Sequence, residues 1–118
     1  MIEIRRVYNE KKPGEGYKVF VDRLWPRGVS KDKAGWDAWM KEISPSEELR
    51  KWFNHDPAKW EEFKRLYKNE LAQKLNEIVE LKKLETQYKT ITLLYAAKDD
   101  NHNNAVVLKE FLTDNVSH

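Results

Sequence analysis

Two short segments of this sequence are apolar along almost their whole length, and they limit the fold more than any other feature. Residues 17–22 contain Val19, Phe20 and Val21 in succession, and residues 90–96 read Thr-Ile-Thr-Leu-Leu-Tyr-Ala. A strand with one face in water alternates apolar and polar residues, whereas a strand covered on both faces, as in a parallel sheet, does not. We therefore predict that both segments are parallel strands and that they lie side by side.

A third strand is predicted at residues 2–8, where Ile2, Ile4 and Val7 are β-branched. Segments with helical periodicity separate the last strand from the earlier ones, which is typical of sheets covered by helices. We predict the fold class α/β, with a small open, mainly parallel sheet of three to five strands covered by helices in three layers. The length of 118 residues suits one domain, which we expect to span residues 1–118.

The strongest helical pattern covers residues 57–84. Asp56 and Pro57 have the residue types preferred at the N-cap and at the first helical position. Apolar residues then recur every three or four positions, at Trp60, Phe63, Tyr67, Leu71, Leu75 and Ile78. We predict one continuous helix over residues 57–84, in which the first four residues of this stripe are largely buried.

Shorter elements are predicted on either side of this helix. Ser44, Pro45 and Glu47 fit a helix start as N-cap, first helical residue and capping-box acid. Residues 35–43 fit a short helix or a further strand, and both alternatives stay open. Residues 104–112 fit a helix whose candidate buried residues are Val106, Val107 and Phe111.

The composition excludes several classes of site. The absence of cysteine removes disulfides, thiol nucleophiles, iron–sulfur clusters and thiolate zinc sites. Lys and Arg number 22 and Asp and Glu number 20, a formal net charge of +2, which does not indicate the one-sided basic surface that binds nucleic acid. No apolar run approaches the length of about 18 residues that spans a membrane, and the N-terminus has no signal-peptide pattern. We expect a cytoplasmic protein with no membrane partner, and its oligomeric state is not readable.

The loop after the second strand has the residue types of a ligand site. Residues 22–28 read Asp-Arg-Leu-Trp-Pro-Arg-Gly, and ligands of open parallel sheets collect outside the carboxyl ends of the strands. Arg23 and Arg27 carry guanidinium groups that suit carboxylate or phosphate, and Trp25 could stack on a ring. The alternative is structural, with Arg23 paired to Asp22 or another carboxylate and Trp25 in the core. Both interpretations stay open.

The loop after the last strand, residues 98–104, reads Lys-Asp-Asp-Asn-His-Asn-Asn and opens the last helix. A helix N-terminus attracts anions through its free N–H groups and its dipole. We therefore predict Lys98, Asn103 and Asn104 as ligand-binding residues. The alternative is that the Asp and Asn side chains of this loop cap the helix, as these residue types often do.

Three residues of the two loops are candidates for acid–base catalysis. His102 could act as a general acid or base near neutral pH, together with Asp22 or Asp99, if the two strands are adjacent. His55 precedes Asp-Pro and is interpreted as part of a turn between helices. The histidines lack ligand spacing and the glycines do not cluster, so neither a metal ion nor a cofactor is predicted.

Several motifs resemble those of a known family. They read Val-Asp-Arg-Leu-Trp-Pro-Arg-Gly at 21–28, Glu-Leu-Arg-Lys-Trp-Phe at 48–53, His-Asp-Pro at 55–57, Leu-Tyr-Ala-Ala-Lys-Asp at 94–99 and His-Asn-Asn-Ala at 102–105. With them the chain resembles the YeaO-like branch of a bacterial and archaeal family of uncharacterised proteins, catalogued as a domain of unknown function (family 488). The resemblance covers almost the whole chain, and the motif at 22–28 is highly specific. It implies no activity, because none is established for the family.

The resemblance also shows where this chain departs from the wider family. Longer members have a cysteine at the position resembling Tyr95 and a Cys-His pair at the positions resembling Asn103 and Asn104. They keep the three residues that stand here as Lys98, Asp99 and His102. Because this chain has neither cysteine, the resemblance does not extend thiol or metal chemistry to it.

We predict a domain that binds, or acts on, a small anionic metabolite or nucleotide at the loops 22–28 and 98–104. Arg23 and Arg27 would hold the anion and Trp25 would stack, while the sequence leaves open whether the chain is an enzyme. The first alternative is a nucleic-acid-associated domain that uses the same arginines on phosphates. The second is a non-catalytic interaction module, which a flat apolar surface patch would favour over a deep polar pocket.

Overall fold

The structure is a computed structural model, and it describes residues 1–9 and 16–114. Three strands come first along the chain, three helices follow, and a fourth strand leads into the last helix. The strands are β1 (Ile2–Arg6), β2 (Tyr17–Phe20), β3 (Ala38–Trp39) and β4 (Ile91–Tyr95), and the helices are α1 (Glu47–Phe53), α2 (Trp60–Leu71), α3 (Leu75–Tyr88) and α4 (Asn104–Asp114).

The four strands form one sheet in the order β1-β4-β2-β3, and every pair of neighbours is parallel. The predicted neighbours β2 and β4 are confirmed, with Val19 opposite Leu93 and Phe20 opposite Leu94. All five residues of β4 are buried, as the unbroken apolar run indicated. The predicted fold class, a small parallel sheet covered by helices, is confirmed.

The two faces of the sheet are covered differently. Buried side chains of all four helices form one cluster with Ile2, Val19, Val21, Leu93 and other strand residues of the same face. On the opposite face, Phe20 packs against the rings of Trp36 and Trp39. Trp25 packs in turn against both of these tryptophans. The layer that covers this second face of the sheet therefore includes the tryptophan cluster.

The long helix predicted over residues 57–84 is wrong in one respect, because it is broken between α2 and α3. Residues 72–74 form a turn, and the Lys74 ammonium donates to the carbonyl oxygens of Glu42 (2.6 Å) and Ser44 (3.1 Å). Helix α2 packs against α1 and α4, whereas α3 packs against β2 and β4. The two halves cover different surfaces, and the side chain of Leu75 at the break is 60% exposed.

The burial predicted within the first half of this helix is confirmed. Phe63, Tyr67 and Leu71 are at most 2% exposed and Trp60 is 9% exposed. Asp56 is the predicted N-cap, since its carboxylate accepts from the Ala58 N–H at 3.0 Å, but it begins a short 3-10 turn over Pro57–Lys59 that leads into α2.

Helix α1 is capped by a different serine from the one predicted. Ser46 is the N-cap, and its hydroxyl accepts from the Leu49 N–H at 3.2 Å. The Ser44 hydroxyl instead donates to the Lys41 carbonyl at 2.6 Å. In the predicted capping box, the Glu47 carboxylate would accept a hydrogen bond from the backbone N–H of the N-cap residue. In the structure Glu70 of α2 makes this contact, and its carboxylate accepts from the Ser46 N–H at 2.8 Å. A tertiary contact thus replaces the local capping box.

The remaining elements resolve two open points. Within residues 35–43 the structure has the short strand β3 and a 3-10 turn over Lys41–Ile43, so the segment is not a helix. Helix α4 begins near the predicted position, but its buried residues differ from those predicted. Val107 is buried as expected and Val106 and Phe111 are only partly buried, while the other buried residues are Ala105, Leu108 and Leu112.

We predict that Phe63→Ala lowers the free energy of unfolding by about 3–5 kcal/mol. Phe63 is 2% exposed and its ring stacks on Phe53 with centroids 4.1 Å apart, so the truncation leaves a cavity in the core. Urea unfolding measures the change. Leu75→Ala is the matched control, and because Leu75 is exposed it should change stability by no more than about 0.5 kcal/mol. Equal losses for the two variants would contradict the break at residues 72–74.

Candidate functional site

The parallel sheet brings the two candidate loops to one edge. Strands β2 and β4 are neighbours and run in the same direction, so residues 22–28 and 98–104 both leave the sheet at its carboxyl end. This is the edge at which open parallel sheets bind their ligands. The structure therefore places the predicted site residues on one side of the molecule.

Asp22 links the ends of β2 and β4. Its carboxylate accepts from the Ala96 N–H at 2.9 Å, one step beyond the last backbone bond of the pair, in which the Val21 N–H donates to the Leu94 carbonyl. Its own carbonyl accepts from the indole N–H of Trp39 at 2.7 Å. Burial raises the pKa of the Asp22 carboxyl, although the hydrogen bonds from Ala96 and Asn104 and the nearby His55 oppose the shift.

Asn103 and Asn104 hold the start of α4 against the sheet. The Asn103 amide oxygen accepts from the Val106 N–H at 3.1 Å, and its amide nitrogen donates to the Asp99 carbonyl at 2.9 Å. The Asn104 amide donates to the Val21 carbonyl at 3.0 Å and also hydrogen-bonds Asp22. The capping interpretation therefore accounts for Asn103, and Asn104 fixes the position of Asp22.

Asp99 and His102 form a pair within the loop. One oxygen of the Asp99 carboxylate accepts from the backbone N–H groups of Asn101 (2.9 Å) and His102 (3.0 Å), and the other lies 2.8 Å from His102 Nδ1. The N–H groups and the imidazole keep the pKa of Asp99 below its ordinary value. Since Asp99 stays ionised, it favours the proton on Nδ1 and leaves Nε2 as the imidazole atom that can face a ligand.

His55 belongs to the same edge, and the sequence interpretation as a turn residue missed this. It lies close enough to Asp22 to oppose the rise in the pKa of that carboxyl. Its ring centroid lies 6.4 Å from that of Phe53, which in turn lies 6.0 Å from that of Trp60. The His102 ring meets Trp60 edge-on at 5.1 Å. The two histidines thus end one row of aromatic rings.

The backbone supports this position of His55. Asn54 and His55 both have positive φ, 45° and 56°. A non-glycine residue in this region is uncommon, and such conformations cluster at functional sites. The Asn-His pair after α1 is the signal that could have drawn attention to His55.

The loop 22–28 contains both engaged and free side chains. Trp25 donates to the Val29 carbonyl at 2.6 Å and packs on Trp36, so it holds the loop against the sheet. Arg23 donates from Nε to the Pro45 carbonyl at 3.2 Å. The Arg27 side chain is exposed and forms no hydrogen bond or ion pair within the described residues, while its carbonyl accepts from Tyr8.

The three candidate catalytic residues meet only in part. Asp99 and His102 contact each other, whereas among the described residues no hydrogen bond joins either of them to Asp22. Lys98 is exposed beside them. No group of three or more His, Asp or Glu side chains within residues 1–9 and 16–114 is arranged to hold a metal ion. The edge thus holds an oriented imidazole and a separate buried carboxylate.

Two surface grooves border other parts of the molecule. One of about 550 Å³ lies on α3 beside Phe111. The other, of about 430 Å³, runs between β1 and α4 and reaches the loop only at Asp100 and Asn101. No helix of the described residues is long and apolar enough to cross a membrane.

Comparison with known proteins finds close relatives. A family model described as the inactive DUF488-N3 subclade matches residues 1–118. The chain is 41% identical over 111 residues to the uncharacterized protein YeaO of Escherichia coli K12. These aligned residues cover 94% of this chain and 96% of YeaO. It is 36% identical over 111 residues to the uncharacterized protein Rv3073c of Mycobacterium tuberculosis H37Rv. The aligned residues cover 94% of this chain and 92% of Rv3073c. No solved structure matches the chain.

We predict that Asp22→Asn changes how folding stability depends on pH. The pKa of the folded-state carboxyl lies above its ordinary value of 3.8. The stability that Asp22 contributes is therefore fully present below pH 3.8 and declines as the pH rises through the raised pKa. Asparagine does not ionise, so the variant should gain stability relative to the wild type as the pH rises from about 3 to about 7.

Urea unfolding at a series of pH values measures this difference. Glu80→Gln removes an exposed carboxylate from α3 and reports the effect of lost charge alone. A variant that loses stability relative to the wild type over the same pH interval would show that the fold stabilises the Asp22 carboxylate.

Proposed function

Because the chain belongs to the DUF488 family, in the subclade described as inactive, we propose that it binds a small anionic metabolite or nucleotide and does not convert it. The site is the carboxyl edge of β2 and β4, formed by the loops 22–28 and 98–104. The proposal places the protein and its ligand in the cytoplasm, the compartment expected from the composition.

One observation carries the proposal of binding without catalysis. Longer members of the family have cysteine or histidine at the positions that resemble Tyr95, Asn103 and Asn104, and in this chain the side chains at these positions form internal hydrogen bonds. Tyr95 donates its hydroxyl to Asp100 at 2.9 Å, Asn103 caps α4, and Asn104 donates to the Val21 carbonyl. The groups at these positions stabilise the edge, so none is free to attack a substrate.

The charges at this edge favour an anion. The carboxylates of Asp22 and Asp99 each accept backbone N–H groups. The Arg27 guanidinium and the Lys98 ammonium are exposed and form no ion pair with the described residues. These two cations lie at the edge beside the exposed Asp100, which accepts a hydrogen bond from Tyr95, and the positive end of the α4 dipole adds to their charge.

The side chains take distinct roles in the proposed site. Arg27 and Lys98 hold the anion, and Arg23 contributes the guanidinium nitrogens that its bond to Pro45 leaves free. His102 presents Nε2, which donates to a phosphate oxygen when the ring is protonated. Trp25 supports the loop through its contacts with the other tryptophans, so stacking on the ligand is not part of the proposal.

We predict that phosphate, sulfate or AMP raises the melting temperature of the wild type and that Arg27→Ala abolishes the rise. A ligand at a hundredfold excess over its Kd stabilises the folded state by about 2.7 kcal/mol. Without ligand, the variant should stay within about 0.5 kcal/mol of the wild type, because the Arg27 side chain has no partner among the described residues. Thermal unfolding with and without each anion measures both effects.

Lys31→Ala is the matched control, since it removes an exposed positive charge from a different turn and should keep the ligand response. Phosphorus NMR of AMP incubated with the protein should show no conversion. Equal responses of both variants to the anions would contradict the site, and turnover of AMP would contradict the absence of catalysis.

A further inference from the structure

Strand β1 is an outer strand of the sheet whose outer side is unpaired in the part of the chain that the structure describes. It pairs with β4 alone and has the sequence Ile-Glu-Ile-Arg-Arg. It contains no proline, and it is long enough to present a row of backbone donors and acceptors. An open edge of this kind is a template for another strand.

The pairing with β4 defines which backbone groups of β1 point outward. The Ile91 N–H donates to the Met1 carbonyl at 3.0 Å. Because successive residues of a strand direct their N–H and C=O groups to opposite sides, Glu3 and Arg5 also face β4. The backbone groups of Ile2, Ile4 and Arg6 therefore face the open side.

This edge is complementary to a second copy of itself in antiparallel orientation. With Ile4 on a two-fold axis opposite the partner's Ile4, Ile2 lies opposite the partner's Arg6. These outward-facing residues then form the hydrogen-bonded pairs, with about six backbone hydrogen bonds in all. Glu3 comes to lie opposite the partner's Arg5 in a non-hydrogen-bonded pair, where facing side chains approach most closely.

The charges of Glu3 and Arg5 support the same register. Glu3 Oε2 is buried with no hydrogen-bond partner, and the Arg5 side chain forms no ion pair within the described residues. A buried acceptor without a partner is unfavourable. In the antiparallel register each Glu3 gains a guanidinium and each Arg5 gains a carboxylate, at two symmetric places.

Helix α4 has a position that suits this association. It packs on both β1 and β4, so with strands about 4.8 Å apart the two α4 axes would be about 10 Å apart across the two-fold axis. Helices pack at about 8–10 Å. The groove of about 430 Å³ between β1 and α4, which includes Ile4 and Val106, would then be covered by the partner.

We propose that two copies of this chain associate through antiparallel pairing of β1 into a two-fold dimer with one continuous sheet. The sheet has four strands from each copy, and the α4 helices lie side by side on one of its faces. This inference goes beyond the proposed function and does not depend on it, since the outer side of β1 carries none of the proposed ligand-binding residues.

Sedimentation equilibrium of the wild-type chain and three variants tests the proposal. The wild type should dimerise. Glu3→Arg places two arginines opposite each other and Arg5→Glu places two glutamates opposite each other, so each should weaken dimerisation at least roughly tenfold. The double variant Glu3→Arg/Arg5→Glu exchanges the charges and should restore the wild-type dissociation constant, which also shows that the single variants did not fail by misfolding.

Glu80→Arg and Lys83→Glu make the same charge changes on the exposed side of α3 and should leave dimerisation unchanged. Hydrogen exchange adds a second measurement, because the Ile4 and Arg6 amides should lose protection when the dimer is diluted. A wild-type chain that is monomeric at all concentrations would overturn the proposal. A dimer that neither charge reversal weakens, or that the double variant fails to restore, would overturn it as well.

Discussion

The parallel pairing of β2 with β4 is the contact on which the rest of the structure depends. It forms the centre of the sheet, and the side chain of Asp22 extends it beyond the strands by accepting the Ala96 N–H. This places the loops 22–28 and 98–104 at one edge. It also places the Asp22 carboxylate in a largely buried position, and burial raises the pKa of that carboxyl because it disfavours the charged form.

Patterns that depend on local burial were readable from the sequence. The apolar runs of β2 and β4 predicted parallel neighbours, and the stripe beginning at Trp60 predicted the buried face of α2. The break at residues 72–74 was not readable, because no glycine or proline marks it and the apolar period continues through Leu75. It arises from packing, since α2 lies on helices and α3 lies on strands.

The location of the candidate site could be predicted from the sequence, whereas the roles of its individual residues were predicted only in part. Strand ends and polar loops predicted the edge, and capping chemistry accounted for Asn103 as the alternative interpretation expected. The contribution of His55 was missed because it comes from a third segment, which is connected to His102 only through the packing of Phe53 and Trp60. Trp25 proved to be packed, because its partners Trp36 and Trp39 are supplied by the segment around β3.

The central claim is that the carboxyl edge of β2 and β4 is the ligand site, and NMR mapping tests it most directly. Phosphate or AMP would be titrated into the isotopically labelled protein while the backbone amide resonances are followed. The account predicts saturable shifts concentrated in residues 22–28 and 98–104 and at His55. Shifts concentrated in the groove on α3, or no saturable shift with either anion, would contradict it.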